Sequence, residues 1–155
     1  MRSIAEIIRE HPFFDGFDEG TLALLAGCAH NRHLRPGEVL FREGENANAF
    51  FVVRSGRVSV QIHRPAGGGV IVDTVEADEV VGWSWLVEPP RWSFDALAVV
   101  DTSLVQFDAT CLRDKCDQDP AAGYLFMRHV GQVMADRLKS ARAQLLDVYG
   151  AGSVT

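Results

Sequence analysis

The sequence predicts a mainly β domain of about eight short strands, with helices before the strands and a long helix after them. Between residues 31 and 107, short β-prone runs alternate with Gly, Pro and Asn at near-regular spacing, which is typical of barrels and sandwiches. The flanking segments instead carry helical periodicity and capping residues. With 155 residues, the chain has the size of one domain. We expect that domain to cover residues 1–150 and residues 151–155 to be a frayed tail.

Residues 1–30 are predicted to form N-terminal helices. Ser3 followed by Glu6 is a capping box, in which each side chain accepts the other residue's free amide hydrogen, and isoleucines then form one apolar stripe. The dipeptide His11-Pro12 ends this helix. A second helix is expected from residue 19 to about residue 29, with Asp18 as its N-cap.

The segment 31–107 carries the predicted strands, which share β-branched and aromatic residues bounded by turn residues. These runs are 39–41, 49–54, 57–63, 70–75, 80–81, 94–100 and 103–107. Gly56 supplies the positive φ of a tight hairpin turn. The run after it alternates apolar and polar residues, as a half-buried strand does.

Residues 108–150 are predicted to be helical. Asp108 is a suitable N-cap for a short helix through residue 116, and Asp119 followed by Pro120 starts another helix that extends to about residue 149. Apolar residues recur along it at coiled-coil spacing, and they are Met127, Met134, Leu138, Ala141, Leu145 and Val148. Such a seam predicts either a homodimer through the helix 120–149 or packing of this helix on its own barrel.

The composition excludes several classes of function. The chain carries 15 Lys and Arg against 21 Asp and Glu, a net charge of −6, whereas nucleic-acid binders and polybasic membrane-surface proteins need a basic face. No apolar run reaches the length of about 18 residues that a membrane span needs, so we expect a cytoplasmic protein and no membrane partner. Because no catalytic triad motif, nucleophile elbow or phosphate loop is present, we expect no enzyme.

The cysteines and histidines predict no metal and no cofactor. Three cysteines, Cys28, Cys111 and Cys116, are too few and too scattered for a disulfide framework. A spacing of five on a short helix makes the last two a poor chelate. His30 and His33 would point to opposite faces of a strand, which leaves no convergent ligand set.

Three segments of the chain resemble the cyclic nucleotide-binding domain, the sensor module of catabolite activator protein-like (Crp-Fnr-type) regulators and of cyclic-nucleotide-dependent kinases. Residues 34–45 (LRPGEVLFREGE) look like its first two strands, and residues 50–60 (FFVVRSGRVSV) look like its hairpin. Residues 80–91 (VVGWSWLVEPPR) lie where that family holds the ligand phosphate. The resemblance covers nearly the whole chain and implies an antiparallel, jelly-roll-like β-roll (a double-stranded β-helix) of about eight strands.

The resemblance also bears on DNA binding. The family's transcription factors continue past the long helix into a helix-turn-helix domain. Here only a few residues follow that helix, and the net charge is −6. We therefore expect no direct binding to DNA.

Residues 82–93, called the cassette below, carry the site that the resemblance implies. A cyclic phosphate bears one negative charge, which the amide hydrogens of a helical turn and one guanidinium hold well. Gly82 allows close approach of the backbone, and Arg91 would anchor the phosphate. The expected ligand contacts are Gly82, Trp83, Ser84, Trp85, Leu86, Arg91, Trp92 and Ser93, and the resemblance implies cAMP or cGMP as the ligand.

Two departures from the family pattern favour a second interpretation. The family places a Glu directly after the Gly, where it accepts from the ribose 2′-hydroxyl, but here that residue is Trp83; Arg91 is followed by Trp92, where the family has a small residue. The tryptophans form either a stacking wall for a purine or part of the core. The first hypothesis is therefore a non-enzymatic sensor that signals through its C-terminal helix to an unknown protein target. The alternative is a fold that no longer binds nucleotide and acts as a protein-interaction or scaffold module.

Overall fold

The computed structural model describes residues 2–153, with side chains described through Tyr149. The elements, in chain order, are α1 (Ile4–Glu10), α2 (Glu19–Ala26), β1 (Ala29–Leu34), β2 (Val39–Phe41), β3 (Ala49–Ser55), β4 (Arg57–His63), β5 (Gly69–Glu76), β6 (Val80–Val81), β7 (Asp95–Ala98), β8 (Thr102–Asp108), α3 (Ala109–Gln118) and α4 (Pro120–Ser153). Two four-stranded antiparallel sheets have the strand orders β1-β8-β3-β6 and β2-β7-β4-β5. The predicted β-roll with flanking helices is confirmed.

Local capping signals start the N-terminal helices as predicted. The Glu6 N–H donates to Ser3 Oγ (3.2 Å), and the Ser3 N–H donates to the Glu6 carboxylate (3.3 Å). Asp18 accepts from the Thr21 N–H (2.6 Å), and this hydrogen bond lowers the pKa of the Asp18 carboxyl. The α2 helix ends earlier than predicted, because the chain from Ala29 onwards pairs with β8.

The strands β2, β4 and β6 have the predicted bounds. Between β3 and β4, Gly56 has a φ of +99°. A Cβ at this position would lie 2.4 Å from the Asp101 carbonyl oxygen. The turn therefore requires glycine both for its backbone conformation and for space.

An aromatic cluster joins the N-terminal segment, the roll and α4. The rings of Phe13, Phe50 and Phe126 lie 5.4, 5.8 and 5.5 Å apart, centroid to centroid, and all three are buried. Burying each ring contributes about 1.5–3 kcal/mol. The first half of α4 is thereby fixed to the roll.

The α4 helix has 34 residues and is about 51 Å long at 1.5 Å per residue. Phe126 and Val130 are buried in the core cluster that includes the roll, whereas every side chain from Leu138 to Tyr149 is exposed. The helix continues to Ser153, a few residues beyond its predicted end at about residue 149. Residues 154 and 155 lie outside the described part.

A disulfide that the sequence did not predict joins Cys28 to Cys111, which lie 83 positions apart in sequence and have their Cα atoms 5.5 Å apart. The sequence pattern predicted no disulfide framework and did not single out this pair, which forms because the β1–β8 ladder brings the start of β1 to the end of β8. Cys116 is a free thiol. No helix within residues 2–153 is both long enough and apolar enough to cross a lipid bilayer.

Candidate functional site

The cassette begins with a glycine that approaches two aromatic rings closely. Gly82 directly follows β6 and has a φ of +90°. A Cβ built on it would lie 3.0 Å from Cη2 of Trp92 and 3.1 Å from Cδ2 of Phe51. The close approach predicted for Gly82 is present, but the approaching group is a side chain of the same chain.

The indole of Trp92 fills the space beside Gly82. This residue is 4% exposed, and its ring stacks on Phe41 with the centroids 3.8 Å apart and the planes 11° apart. Main-chain hydrogen bonds fix it on both sides: the Trp92 N–H donates to the Glu45 carbonyl, and the Gly44 N–H donates to the Trp92 carbonyl (both 2.9 Å). Trp92 is therefore part of the core.

Arg91 lies at the surface, on the opposite side of this extended segment from Trp92. Its guanidinium donates to the Gly44 carbonyl (2.9 Å). Among the ion pairs of residues 2–153, none includes Arg91. The expected phosphate anchor is thus held by the turn after β2 and keeps its charge exposed to solvent.

Trp83, which stands where the family has an acidic residue, is covered by an arginine from α4. The Arg137 guanidinium lies 5.0 Å from the centroid of the Trp83 ring. It also donates to the Asp73 carboxylate (2.7 Å) and to the Val80 carbonyl (2.5 Å). We call these three contacts the Arg137 clamp. Sequence reasoning missed it, because Asp73 and Arg137 are 64 residues apart and no local pattern pairs them.

Trp85 anchors the cassette in the core. It is 2% exposed, and its ring lies 6.4 Å from Phe50 and 6.2 Å from Phe126. The Arg113 guanidinium of α3 donates to the Trp85 carbonyl (2.8 Å) and lies 5.8 Å from the ring centroid. The indole N–H of Trp85 is buried without a hydrogen-bond partner in the described part of the chain. This residue joins the cassette to α3 and α4.

The remaining predicted contacts lie at or near the surface. The expected helical turn is present as a 3-10 turn at Ser84–Leu86, but the Leu86 N–H is already bonded to the Trp83 carbonyl (3.0 Å). Ser84 and Leu86 are half-buried, and Ser93 is exposed like Arg91. The predicted residues are therefore divided between the core and the surface.

Two cavities of about 280 Å³ each share Asp78 in their linings, and no cassette residue lines either of them, although Arg137 borders the second. His11 borders the first. Its Nε2–H donates to the Val53 carbonyl (3.0 Å) and its Nδ1 accepts from the Phe13 N–H (3.2 Å). Burial lowers the pKa of His11, which favours the neutral ring. The two hydrogen bonds of this ring connect the N-terminal segment to β3.

The histidines and cysteines form no metal site in the part of the chain described. His30 and His33 are exposed on β1. The ring nitrogens of His129 contact the carbonyl oxygens of Leu125 (2.9 Å) and Asp15 (3.0 Å). Within residues 2–153, no three His, Cys, Asp or Glu side chains converge as metal ligands would.

The roll and the cassette match one known family. A model of the cyclic nucleotide-binding domain matches residues 31–119, which is more than half of the chain. The chain belongs to the cyclic nucleotide-binding domain family. This family is a regulatory ligand-binding fold that is generally non-enzymatic.

Curated relatives of the family are longer than this chain. Glutaminase 1 of Bradyrhizobium diazoefficiens is 32% identical over 141 residues, which are 89% of this chain and 22% of the glutaminase. The CRP-like cAMP-activated global transcriptional regulator of Mycobacterium tuberculosis is 22% identical over 143 residues, which are 92% of this chain and 62% of the regulator. The chain thus spans about a fifth of one relative and less than two thirds of the other.

Solved structures agree on the fold. A cyclic nucleotide-binding domain from Methylobacillus flagellatus superposes with a TM-score of 0.79 at 18% identity, covering 94% of this chain and 82% of that one. The catabolite activator protein of Thermus thermophilus gives 0.71 at 22% identity, covering 89% and 63%. At these identities the likeness supports the fold and nothing finer.

Proposed function

We propose that this chain is a non-enzymatic regulatory module that works without a cyclic nucleotide and acts through its α4 helix. The packing of Trp92 on Phe41 and against Gly82 carries the proposal. In this proposal, the indole takes the place beside Gly82 where the family resemblance implies the ligand phosphate. A buried indole carries no positive charge that could bind an anion, and it occupies the space that an anion would need.

The electrostatics of the cassette favour the same conclusion. A charge-assisted hydrogen bond contributes about 1.5–3 kcal/mol, which is about 10- to 150-fold in affinity. Arg91 makes its contact with Gly44 instead. Trp83 has no acceptor for a ribose hydroxyl, and Arg137 lies over its ring. A nucleotide in this cassette would therefore lack the interactions that the resemblance implies at both its phosphate and its ribose.

The exposed part of α4 is the element that we propose as the output. Beyond the Arg137 clamp the helix leaves the roll, and its seam residues Leu138, Leu145 and Val148 are 52%, 56% and 69% exposed. A second copy of the chain would cover this seam in a coiled coil. The chain resembles one part of a glutaminase and one part of a transcriptional regulator. This likeness supports a module that can act on more than one kind of protein.

A cyclic-nucleotide sensor is the second candidate. The family match and the exposed Arg91, which forms no ion pair within residues 2–153, favour it. Binding would require Trp92 to leave Phe41 and Arg91 to leave Gly44. The Arg137 clamp would then transmit the change from the cassette to α4.

A thermal-shift comparison separates the two candidates. A ligand at 100 times its Kd stabilises by about 2.7 kcal/mol, which is several degrees for a chain of this size. We expect no shift of the wild-type protein with cAMP, cGMP or linear AMP. A shift that Arg91→Ala removes would establish the sensor instead. A shift that persists in this variant would reject the proposal and locate the anion elsewhere.

Light scattering tests the proposed output. We expect a dimer for the wild-type protein and a monomer for Leu138→Glu, because the new carboxylate would lie in the apolar seam. Ser140→Glu is the matched control, since it adds the same charge to an exposed position outside the seam. A wild-type monomer, or equal effects of the two variants, would reject pairing through α4.

A further inference from the structure

The Cys28–Cys111 disulfide has no part in the proposed function, yet it lies at a junction of the fold. Cys28 occupies the connection between α2 and β1, and Cys111 lies in the first turn of α3. The bond therefore joins the N-terminal helices to the helix that precedes α4. Because α3 ends at Gln118 and α4 begins at Pro120, a bond that attaches α3 also attaches the start of α4.

The two cysteines are held together by the backbone as well as by the bond between them. The Asp108 N–H donates to the Cys28 carbonyl (2.9 Å), next to the Ala29–Phe107 pair that begins the β1–β8 ladder. The Asp108 carboxylate in turn accepts from the Cys111 N–H (2.8 Å). These contacts do not involve the sulfur atoms, so we expect the frame to persist when both residues are thiols. The bond can then form and break in the folded chain.

The two cysteines differ in their exposure to solvent. Cys28 is 6% exposed, whereas Cys111 is half-buried. An external thiolate therefore reaches the Cys111 sulfur first. The intermediate is a mixed disulfide on Cys111, with Cys28 released as the thiolate.

Cys116 does not take part in this exchange. It lies five residues beyond Cys111 on α3, about 140° around a helix with 3.6 residues per turn. It packs against Gly123 at the start of α4. Burial raises the pKa of the Cys116 thiol, and Asp117 and Asp119 add to the effect. A thiol with a raised pKa is a poor nucleophile at neutral pH.

We propose that Cys28 and Cys111 form a reversible thiol–disulfide site, and that its state sets how firmly α3 and α4 are attached to the N-terminal helices. In the forward step, a dithiol reductant gives two electrons and two protons to the disulfide. The products are the Cys28 and Cys111 thiols and the disulfide of the reductant. Oxidation by a disulfide such as oxidised glutathione reverses the step. The thiol–disulfide step does not depend on the proposed function, and only the interpretation of α4 as the output element rests on it.

A redox titration of the full chain tests the chemical half of the proposal. The folded protein is equilibrated in buffers of graded reduced-to-oxidised glutathione ratio, its thiols are trapped by alkylation, and Cys28 and Cys111 are quantified by peptide mass. We expect one reversible two-electron transition, with unchanged far-UV circular dichroism. Reduction only after unfolding by denaturant would mean a purely structural bridge and overturn the proposal. A pair that stays reduced in oxidised glutathione would overturn it equally.

Hydrogen exchange tests the coupling to α4. We expect amides of α3 and of the first half of α4 to exchange roughly tenfold faster in the reduced protein, which corresponds to about 1.4 kcal/mol. Cys111→Ser should match the reduced state under all conditions, and the control Cys116→Ser should respond to glutathione as the wild-type protein does. Equal exchange in the two redox states would refute the coupling. Neither measurement depends on nucleotide binding or on dimerisation, so a failure here is distinct from failure of the proposed function.

Discussion

Replacing Trp92 with alanine measures how tightly the cassette is filled. The ring is 4% exposed and stacks on Phe41 at 3.8 Å. Truncating a buried tryptophan to alanine costs about 3–5 kcal/mol, of which the stacked pair accounts for about 0.5–1.5 kcal/mol. Since 1 kcal/mol corresponds to about 2–4 °C for a chain of this size, the Tm should fall by about 6–20 °C.

Urea unfolding of the wild-type protein and the variant gives this free energy directly. Trp83→Ala is the matched control, because its ring is only half-buried and its interaction with Arg137 is of a kind that contributes about 0.5–1 kcal/mol near the surface. We expect Trp92→Ala to be the more destabilising by at least about 2 kcal/mol. Equal losses for the two variants would show that Trp92 does not fill the hollow, and the reasoning would be refuted.

Three further predictions concern the clamp, a buried histidine and a turn. A double-mutant cycle of Arg137→Ala with Trp83→Ala should give a coupling free energy of about 0.5–1 kcal/mol, and a value of zero would mean that the clamp does not bind the cassette. Because burial lowers the pKa of His11 from 6.5, the unfolded chain binds a proton below that pH while the native chain does not. Stability should therefore be full above pH 6.5 and fall as the pH drops towards the native pKa. The variant His11→Gln should lose this dependence in urea unfolding, and an unchanged pH dependence would contradict the assignment. Gly56→Ala should destabilise far more than Gly37→Ala, since both have positive φ but only the first places a Cβ within 2.4 Å of backbone; similar Tm values would contradict this.

Local signals in the sequence predicted much of the fold. The capping box at Ser3 and the caps at Asp18 and Asp108 act through residues three positions away, so the sequence alone contains both partners. The bounds of β4 follow from alternation and from its turn residues, and β2 and β6 are short apolar runs in the β-prone segment. Contacts between distant segments were not available to such reasoning, and the Cys28–Cys111 bond and the Arg137 clamp are of that kind.

The orientation of the cassette was only partly available from the sequence. Trp92, Ala96 and Ala98 are buried and share one parity, as residues on one face of an extended segment do, but Phe94 has the same parity and is 38% exposed. Arg91 has the opposite parity and is exposed. In an extended segment, a shift of one residue exchanges the inward and outward faces. Extending the period of β7 backwards places Trp92 inside and Arg91 outside, but it also places the exposed Phe94 inside, because the chain bends at residues 93 and 94.

In the proposed function, the Trp92 indole occupies the space beside Gly82 that the family resemblance gives to a ligand. Nitrogen-edited NMR resolves the indole N–H signal of each tryptophan, and a titration with cAMP and then cGMP follows Trp92 and the amide of Gly82 together. We expect that neither signal moves at millimolar nucleotide. A saturable shift of both signals, abolished in Arg91→Ala, would contradict it and establish the cassette as a nucleotide site.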